Sequence, residues 1–417
     1  MDTPLHINGE RLWSRLMELA EVGEYDAHSG LRGVNRLALT DADSAGRQLV
    51  VGWMRAAGLA VRVDAMGNVF ARRGGTDPDA APVMSASHID SVATAGAFDG
   101  CLGVLAALEA VQALDELALS TRRPIDIGFF TEEEGVRFGT DMLGSAVACG
   151  RIDIAHAHAL TDAEGTTLAA ELARTGWNGT HPAQLEPPHA YVECHIEQGP
   201  VLAAEGLTLG VVTGVQGISW QEVTIEGRSA HAGTTPTELR RDAGLAAARV
   251  ITHVQELVDS RRYGELRGTI GQLRLAPGLT NVVAHQAILT VDLRNPDEEA
   301  LSAAEGELAA YLKSLEEAGL TVRTKRMART APVPFDEGVQ KAIAQAIEDL
   351  GHEFRHLISG AGHDAQEVAA IAPTAMIFVR GEYDGISHNP REYSTPEACH
   401  AGADVLATVL YRLANED

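Results

Sequence analysis

From about residue 60 to residue 130 the chain alternates short apolar stretches with one strongly helical run. This order narrows the fold more than any other feature. VRVDAMGNVFARR and APVMSASHI alternate or run apolar like strands, LGVLAALEAVQAL is helical, and PIDIGFF is a short apolar strand. Two amphipathic helices precede them, GERLWSRLMELAEVG and DADSAGRQLVVGWMRAAGL, the second ended by Gly58. Strands that alternate with helices predict an α/β sheet with helices on both faces. In such sheets ligand sites gather beyond the strand ends. Residues 151–190 read as irregular, and AYVECHIEQGPVL returns to strand character.

With 417 residues the chain is too long for one ordinary core, and two domains are expected. The pattern changes near residue 215. WQEVTIEG alternates, TELRRDAGLAAARVITHVQELVDS is helical, and GTIGQLRL and AHQAILTVDLR read as strands. DEEALSAAEGELAAYLKSLEEAG is a long helix and LTVRTKRM a last strand. The order β-α-β-β-α-β is that of a ferredoxin-like α+β unit. It is expected to occupy 215–329, inserted into a larger domain of 1–214 and 330–417. VQKAIAQAIEDLG, PTAMIFV and a helix from about Glu397 would complete the larger domain.

Charge excludes some partners. The formal net charge is −25, which repels nucleic acid and anionic membranes. The start, MDTPLHINGERLW, lacks a basic region followed by an apolar one, and no apolar run is long enough to span a bilayer. Cys101, Cys149, Cys194 and Cys399 are scattered without CxxC spacing, against a disulfide framework or a cysteine-held zinc. A cytoplasmic location is expected.

Polar residues at strand ends carry the chemistry. In SASHIDSVATAGAFDG, His88 ends an apolar strand and Asp99 follows in a Phe-Asp-Gly turn. Both are good ligands for zinc, manganese or cobalt, and a carboxylate can bridge two metals. Alone, each reads equally as a strand-end histidine and a capping aspartate. GFFTEEEGVRF places three acids directly after a buried strand, where charge is costly unless paired or metal-bound. Neighbours such as Glu133 and Glu134 can split the roles of base and ligand, or form a solvated turn. HIEQGP sets His195 and Gln198 at another strand end, and GISHNP sets His388 in a Gly- and Pro-bounded loop. Four separate segments thus supply ligand side chains. His156, His158, His352, His356 and His400 lack that setting and read as surface residues on irregular chain or on or beside helices.

Within the inserted unit, GRSAHAGTTP carries His231 in a polar loop, suited to donating a hydrogen bond to an oxyanion. LTNVVAHQAILTVDLRNP carries Asn281 and Arg294, with Ile288, Thr290, Asp292 and Arg294 on one strand face. Arg294 suits a substrate carboxylate, or an ion pair with Asp292 or Glu298. His363 and Asp364 in SGAGHDA form a further polar pair.

Together HIDS…FDG, TEEEGVRF, HIEQGP, SAHAGTTP, DLRNP, SGAGHDA and GISHNP resemble the dinuclear M20 peptidase-like amidohydrolases, and most closely their hydantoinase/carbamoylase branch. The resemblance runs from GERLWSRLMEL to the last helix. It implies a zinc-aminopeptidase-like catalytic domain, with helices on both sides of a mixed sheet, plus an inserted ferredoxin-like dimerisation and lid domain. It implies two divalent metal ions per subunit, zinc, manganese, cobalt or nickel. His88 and His195 would hold one, Glu134 and His388 the other, with Asp99 bridging and Glu133 as general base. The Asp99–Gly100 peptide would be cis. Gln198, His231, Asn281, Arg294 and the backbone near Gly360 would contact substrate. The family also implies a homodimer, in which His231 completes the partner's active site.

The activity implied is hydrolysis of the ureido C–N bond of N-carbamoyl-L-amino acids, a small-molecule ureido carboxylate substrate, to L-amino acid, carbon dioxide and ammonia. Allantoate and N-carbamoyl-β-alanine are rival substrates for the same site. Deacylation or peptide cleavage is a further rival, and a non-catalytic binding protein would have lost a ligand or the base. All six positions are present. Arg380, Glu382 and Asp384 lie close to His388 in sequence, placed to bear on substrate choice.

Overall fold

Four strands buried along their whole length lie side by side and parallel: Thr374–Val379, Ala190–Ile196, Val83–His88 and Ile125–Phe130. Strands buried on every residue need cover on both faces. Leu209–Val215 pairs antiparallel beyond Thr374–Val379, and Val69–Arg73 and then Ala60–Val63 extend the other flank antiparallel, so the sheet is mixed. The computed structural model describes residues 4–27 and 30–416. Contacts divide the chain into two units, Met1–Gly214 with Phe335–Asp417, and Val215–Pro334.

In the first unit the helix Cys101–Glu116 is buried on nearly every residue and packs against Pro396–Leu413 and the strand Val83–His88. Its small residues allow this. A Cβ at Gly103 would lie 2.3 Å from the Cys194 carbonyl oxygen. The helix Gly9–Glu21 crosses it, and its Arg11 and Arg15 reach the fully buried Glu109. Such a carboxylate survives burial only because it is paired.

Several local expectations are corrected. VRVDAMGNVFARR is a hairpin of two strands. Asp64 turns the chain by accepting the N–H groups of Met66 and Asn68 at 2.8 and 2.9 Å. Residues 151–190 hold two helices, Ile154–Ala159 and Leu168–Thr175, begun by the caps Asp153 and Thr167. They are too short for periodicity to reveal. His356 lies on the strand Phe354–Ser359, which the sequence reading missed. Among the described residues the only cis peptide is Ala276–Pro277, so Asp99–Gly100 is trans.

The second unit is an antiparallel sheet. Gly217–Glu226 pairs with both Gln286–Asn295 and Thr321–Thr330. GTIGQLRL makes two short strands, Arg267–Thr269 and Leu273–Ala276, both beside Gln286–Asn295. Helices Ala243–Asp259 and Glu298–Ser314 bury Val250, Val254, Leu301 and Leu308 against Val223, Ile225, Leu289 and Val291. The first helix starts later than its apolar pattern, because Asp242 caps it at Leu245 N. Among the described residues no helix is long and apolar enough to cross a membrane.

Candidate active site

The carboxyl ends of the four parallel strands deliver the predicted ligands to one place. His88 closes its strand, His195 lies one residue from the end of its own, and Glu133–Glu134 and His388 follow the other two. Asp99 comes from the connection between Val83–His88 and the helix that begins at Cys101. Its two oxygens face different partners. Oδ1 lies 3.5 Å from His88 Nε2 and 3.1 Å from His195 Nε2. Oδ2 lies 3.4 Å from His388 Nε2, which is 3.3 Å from Glu134 Oε2. The ligand atoms thus form two groups that share Asp99: His88, Asp99, His195 and Asp99, Glu134, His388.

Backbone contacts set the imidazoles. Nδ1 of His88 faces the Asp90 carbonyl at 2.9 Å, and Nδ1 of His195 faces that of Ile196 at 2.9 Å. A carbonyl only accepts, so each Nδ1 carries the proton and the Nε2 lone pair turns toward Asp99. Gly100 N–H donates to His195 Nε2 at 3.2 Å, in keeping with that tautomer. Lone pairs of two imidazoles and a carboxylate, converging in a buried site, fit a cation between them. This donor set suits zinc, manganese, cobalt or nickel.

Proton affinities show the same crowding of charge. Burial pushes Glu133 well up, opposed by His88 and reinforced by Asp364 and Glu134. Burial and the charge of Asp99 raise Glu134 to about 7. The hydrogen bond to Asp99 raises His388 to about 9. Burial alone would raise Asp99, but with no cation between them His195, His388 and His88 take up a second proton, and the hydrogen bonds they then donate hold Asp99 well below its ordinary range. The chain stripped of metal by chelation is therefore expected to lose stability as pH rises. Glu134 and His388 have folded values above their unfolded ones. Their contributions are complete below the unfolded values and vanish as pH passes about 7 and about 9. The Tm of stripped protein should fall between about pH 6 and about pH 9, and a rise over that range contradicts the assignment.

Glu133 Oε2 stands 3.5 Å from His88 Nε2 and lines a cavity of about 150 Å³ with Glu134, His195, Gln198 and His388. Gln198, at φ +54°, donates from Nε2 to Asp99 Oδ2 at 2.7 Å. Gly360 lies in the turn whose next residues, Ala361 and Gly362, line the same cavity. The third acid of the run turns away. Glu132, at φ +58°, accepts the N–H groups of Arg137 and Phe138.

The sequence reading missed Asp90, whose carboxylate takes the N–H groups of Glu133 and Glu134 at 3.4 and 3.3 Å. It also missed Glu193, which accepts from Ser87 Oγ, Tyr191 OH and Ala365 N beneath the site. Glu193 shares a strand face with His195, two residues on, and that alternation was the available signal. His363 stacks edge-on against His195 at 4.5 Å and is held by Ser359 at 2.9 Å.

His231, Asn281 and Arg294 belong to the second unit. His231 pairs with Val282, and Ala232 N–H donates to the Asn281 carbonyl at 2.9 Å, so the two predicted residues adjoin. Gly233 and Thr234 N–H groups donate to His231 Nδ1 at 3.0 and 3.3 Å. The proton then sits on Nε2, which is exposed as a donor. Arg294 forks onto Asp292 at 2.9–3.1 Å and stands over Trp220. Glu298, the other expected partner, pairs with Arg329.

Residues 84–412 match the model of Peptidase family M20/M25/M40. The chain is 43% identical to an N-carbamoyl-L-amino-acid amidohydrolase of Rhizobium meliloti, over 96% of this chain and 95% of that one. It is also 43% identical to one of Geobacillus stearothermophilus, over 98% and 99%. Among solved structures, an amidase of the hydantoinase/carbamoylase family from Burkholderia multivorans superimposes with a TM-score of 0.95 at 42% identity, covering 99% of each chain. The chain belongs to peptidase family M20, and within it to the hydantoinase/carbamoylase branch. Family and ligand groups together mark a metal-dependent hydrolase.

Proposed function

We propose that the protein hydrolyses the ureido C–N bond of N-carbamoyl-L-amino acids, releasing L-amino acid, carbon dioxide and ammonia. The observation that carries the chemistry is the division of Asp99 between two ligand groups beside an unclaimed Glu133. The substrate class is supported by full-length relatives named for it.

His88 and His195 would hold one divalent ion, Glu134 and His388 a second, and Asp99 both. Bound there, such ions acidify water and polarise the scissile carbonyl. Glu133 takes the proton of the attacking water and returns it to the leaving nitrogen. His231 donates from Nε2 to the developing oxyanion. Gln198 and the backbone at Gly360 orient the ureido group, and Asn281 and Arg294 bind the substrate carboxylate. That carboxylate competes with Asp292 for the guanidinium. Arg294→Ala is accordingly expected to raise KM about tenfold or more, from the ~1.5–3 kcal/mol of a charge-assisted hydrogen bond. An unchanged KM for carboxylate substrates places the carboxylate elsewhere.

The protein works, in this reading, as a cytoplasmic homodimer built through the second unit. Its four cysteines are free, as a reducing compartment keeps them. The strand Leu273–Ala276 exposes Leu273 and Leu275, each 44% accessible. An exposed apolar edge favours pairing with another chain. Leu273→Asp with Leu275→Asp should shift the protein to monomer in light scattering after size exclusion. An unaltered dimer removes this strand from the interface.

The substrate test is ammonia release from N-carbamoyl-L- and D-amino acids, N-carbamoyl-β-alanine and allantoate, with amine release from N-acetyl amino acids. Selective turnover of the N-carbamoyl-L compounds is expected. A preference for allantoate or N-carbamoyl-β-alanine reassigns the substrate, and amine release from acetyl compounds makes the enzyme a deacylase.

A further inference from the structure

A carboxylate outside the proposed ligand set joins the two segments that build half of the centre. Glu392 is 6% exposed, accepts two backbone hydrogen bonds and shares the one hydroxyl proton of Ser387 with Asp99. Phe98 N and Asp99 N donate to its Oε1 at 2.9 and 3.1 Å, and Ser387 Oγ stands 2.7 Å from its Oε2. The same Ser387 Oγ lies 2.8 Å from Asp99 Oδ2. Phe98 and Asp99 belong to the connection after Val83–His88. Ser387 precedes His388 in the loop after Thr374–Val379. One buried side chain therefore ties the segment bearing Asp99 to the segment bearing His388.

That second segment needs a tie. Tyr383, Asp384 and His388 have φ of +56°, +61° and +54°, left-handed conformations that L-residues keep only where surroundings impose them. Gly96 makes room for the tie: a Cβ there would lie 2.5 Å from Glu392 Cβ and 2.8 Å from Oε1. The His88 and His195 rings are oriented independently, by the carbonyls of Asp90 and Ile196.

We infer that Glu392, acting through Ser387 and the Asp99 backbone, is a positioning residue for the Asp99–Glu134–His388 half of the centre, and sets the chain's affinity for the second of two divalent cations. The inference rests on reading Asp99 as a ligand shared by two ions. Outer partners of this kind tune metal affinity by about 10–100-fold in other sites.

The test titrates Mn²⁺ into chelator-stripped full-length protein by calorimetry. Wild type should take up two equivalents. In Ser387→Ala and Gly96→Ala the second should bind about 10–100-fold more weakly, with the first within about threefold, and the Tm of stripped Ser387→Ala should be unchanged. Glu392→Gln should retain both. Its amide oxygen still accepts from Phe98 and Asp99, and its NH₂ donates to Ser387 Oγ, freeing that hydroxyl for Asp99. Second-site affinity unchanged in Ser387→Ala and Gly96→Ala overturns the inference. So does a loss in Glu392→Gln as large as theirs, which assigns the effect to charge. A wild type that binds only one equivalent overturns the shared-ligand reading itself, and this inference with it.

Discussion

Glu133→Gln is expected to lower kcat by roughly three orders of magnitude while metal content stays at the wild-type level. The backbone at this position is fixed from both sides. Glu133 N–H donates to Asp90 at 3.4 Å, and its carbonyl accepts Met142 N–H at 2.6 Å. An amide of the same shape therefore leaves the neighbouring Glu134, and the imidazoles, where they are. What it loses is the ability to accept a proton. Burial already raises the acid well above its ordinary value, the direction that suits a carboxylate to taking up a proton. Turnover and metal per subunit should be measured on the same preparation. Activity within tenfold of wild type would move the base elsewhere. Loss of activity with loss of metal would make Glu133 a ligand.

Gly100→Ala is expected to cost at least about a hundredfold in activity, through the metal site and not through global stability. Gly100 has φ +64°, and a Cβ there would stand 2.5 Å from three atoms of the His88 ring. Carbon contacts relax near 3.5 Å, so the ring must yield by about an ångström. It would then leave the Asp90 carbonyl and Asp99 together. Gly58→Ala is the control. It carries a similar strain at φ +76° with no atom within 4 Å of the new methyl. Both variants should lose about 1 kcal/mol of stability, but only Gly100→Ala should lose metal. Equal metal retention would remove His88 from the ligand set.

Of the proposed ligands, His88 and His195 were legible because each lies at the end of a buried strand, and Glu133–Glu134 because they follow one. Val83–His88 and Ala190–Ile196 are buried on both faces, and a histidine at such an end stands out. The same reasoning could not sort three consecutive acids. Glu132 differs from Glu133 and Glu134 only because a left-handed φ turns it onto Arg137 and Phe138. Partners that act across long stretches of chain were invisible. Glu392 meets Asp99 across 293 positions, and its motif neighbours His388 without ending any strand. Asp90 was hidden for another reason, since it works on backbone N–H groups that leave no residue pattern. The inserted sheet was readable from its two-residue alternation. Gln286–Asn295 buries Ala287, Leu289, Val291 and Leu293 and turns Asp292 and Arg294 to the other face. The break between Arg267–Thr269 and Leu273–Ala276 depends on pairing and was not readable.

Ureido hydrolysis by the carboxylate and imidazole cluster, as proposed, requires bound metal. The direct measurement is ammonia and amino acid release from an N-carbamoyl-L-amino acid by one preparation, before chelation, after chelation, and after metal is restored. Equimolar release that disappears on chelation and returns with metal is the predicted result. Release undiminished in metal-stripped protein, or silence with both ions bound, would contradict it.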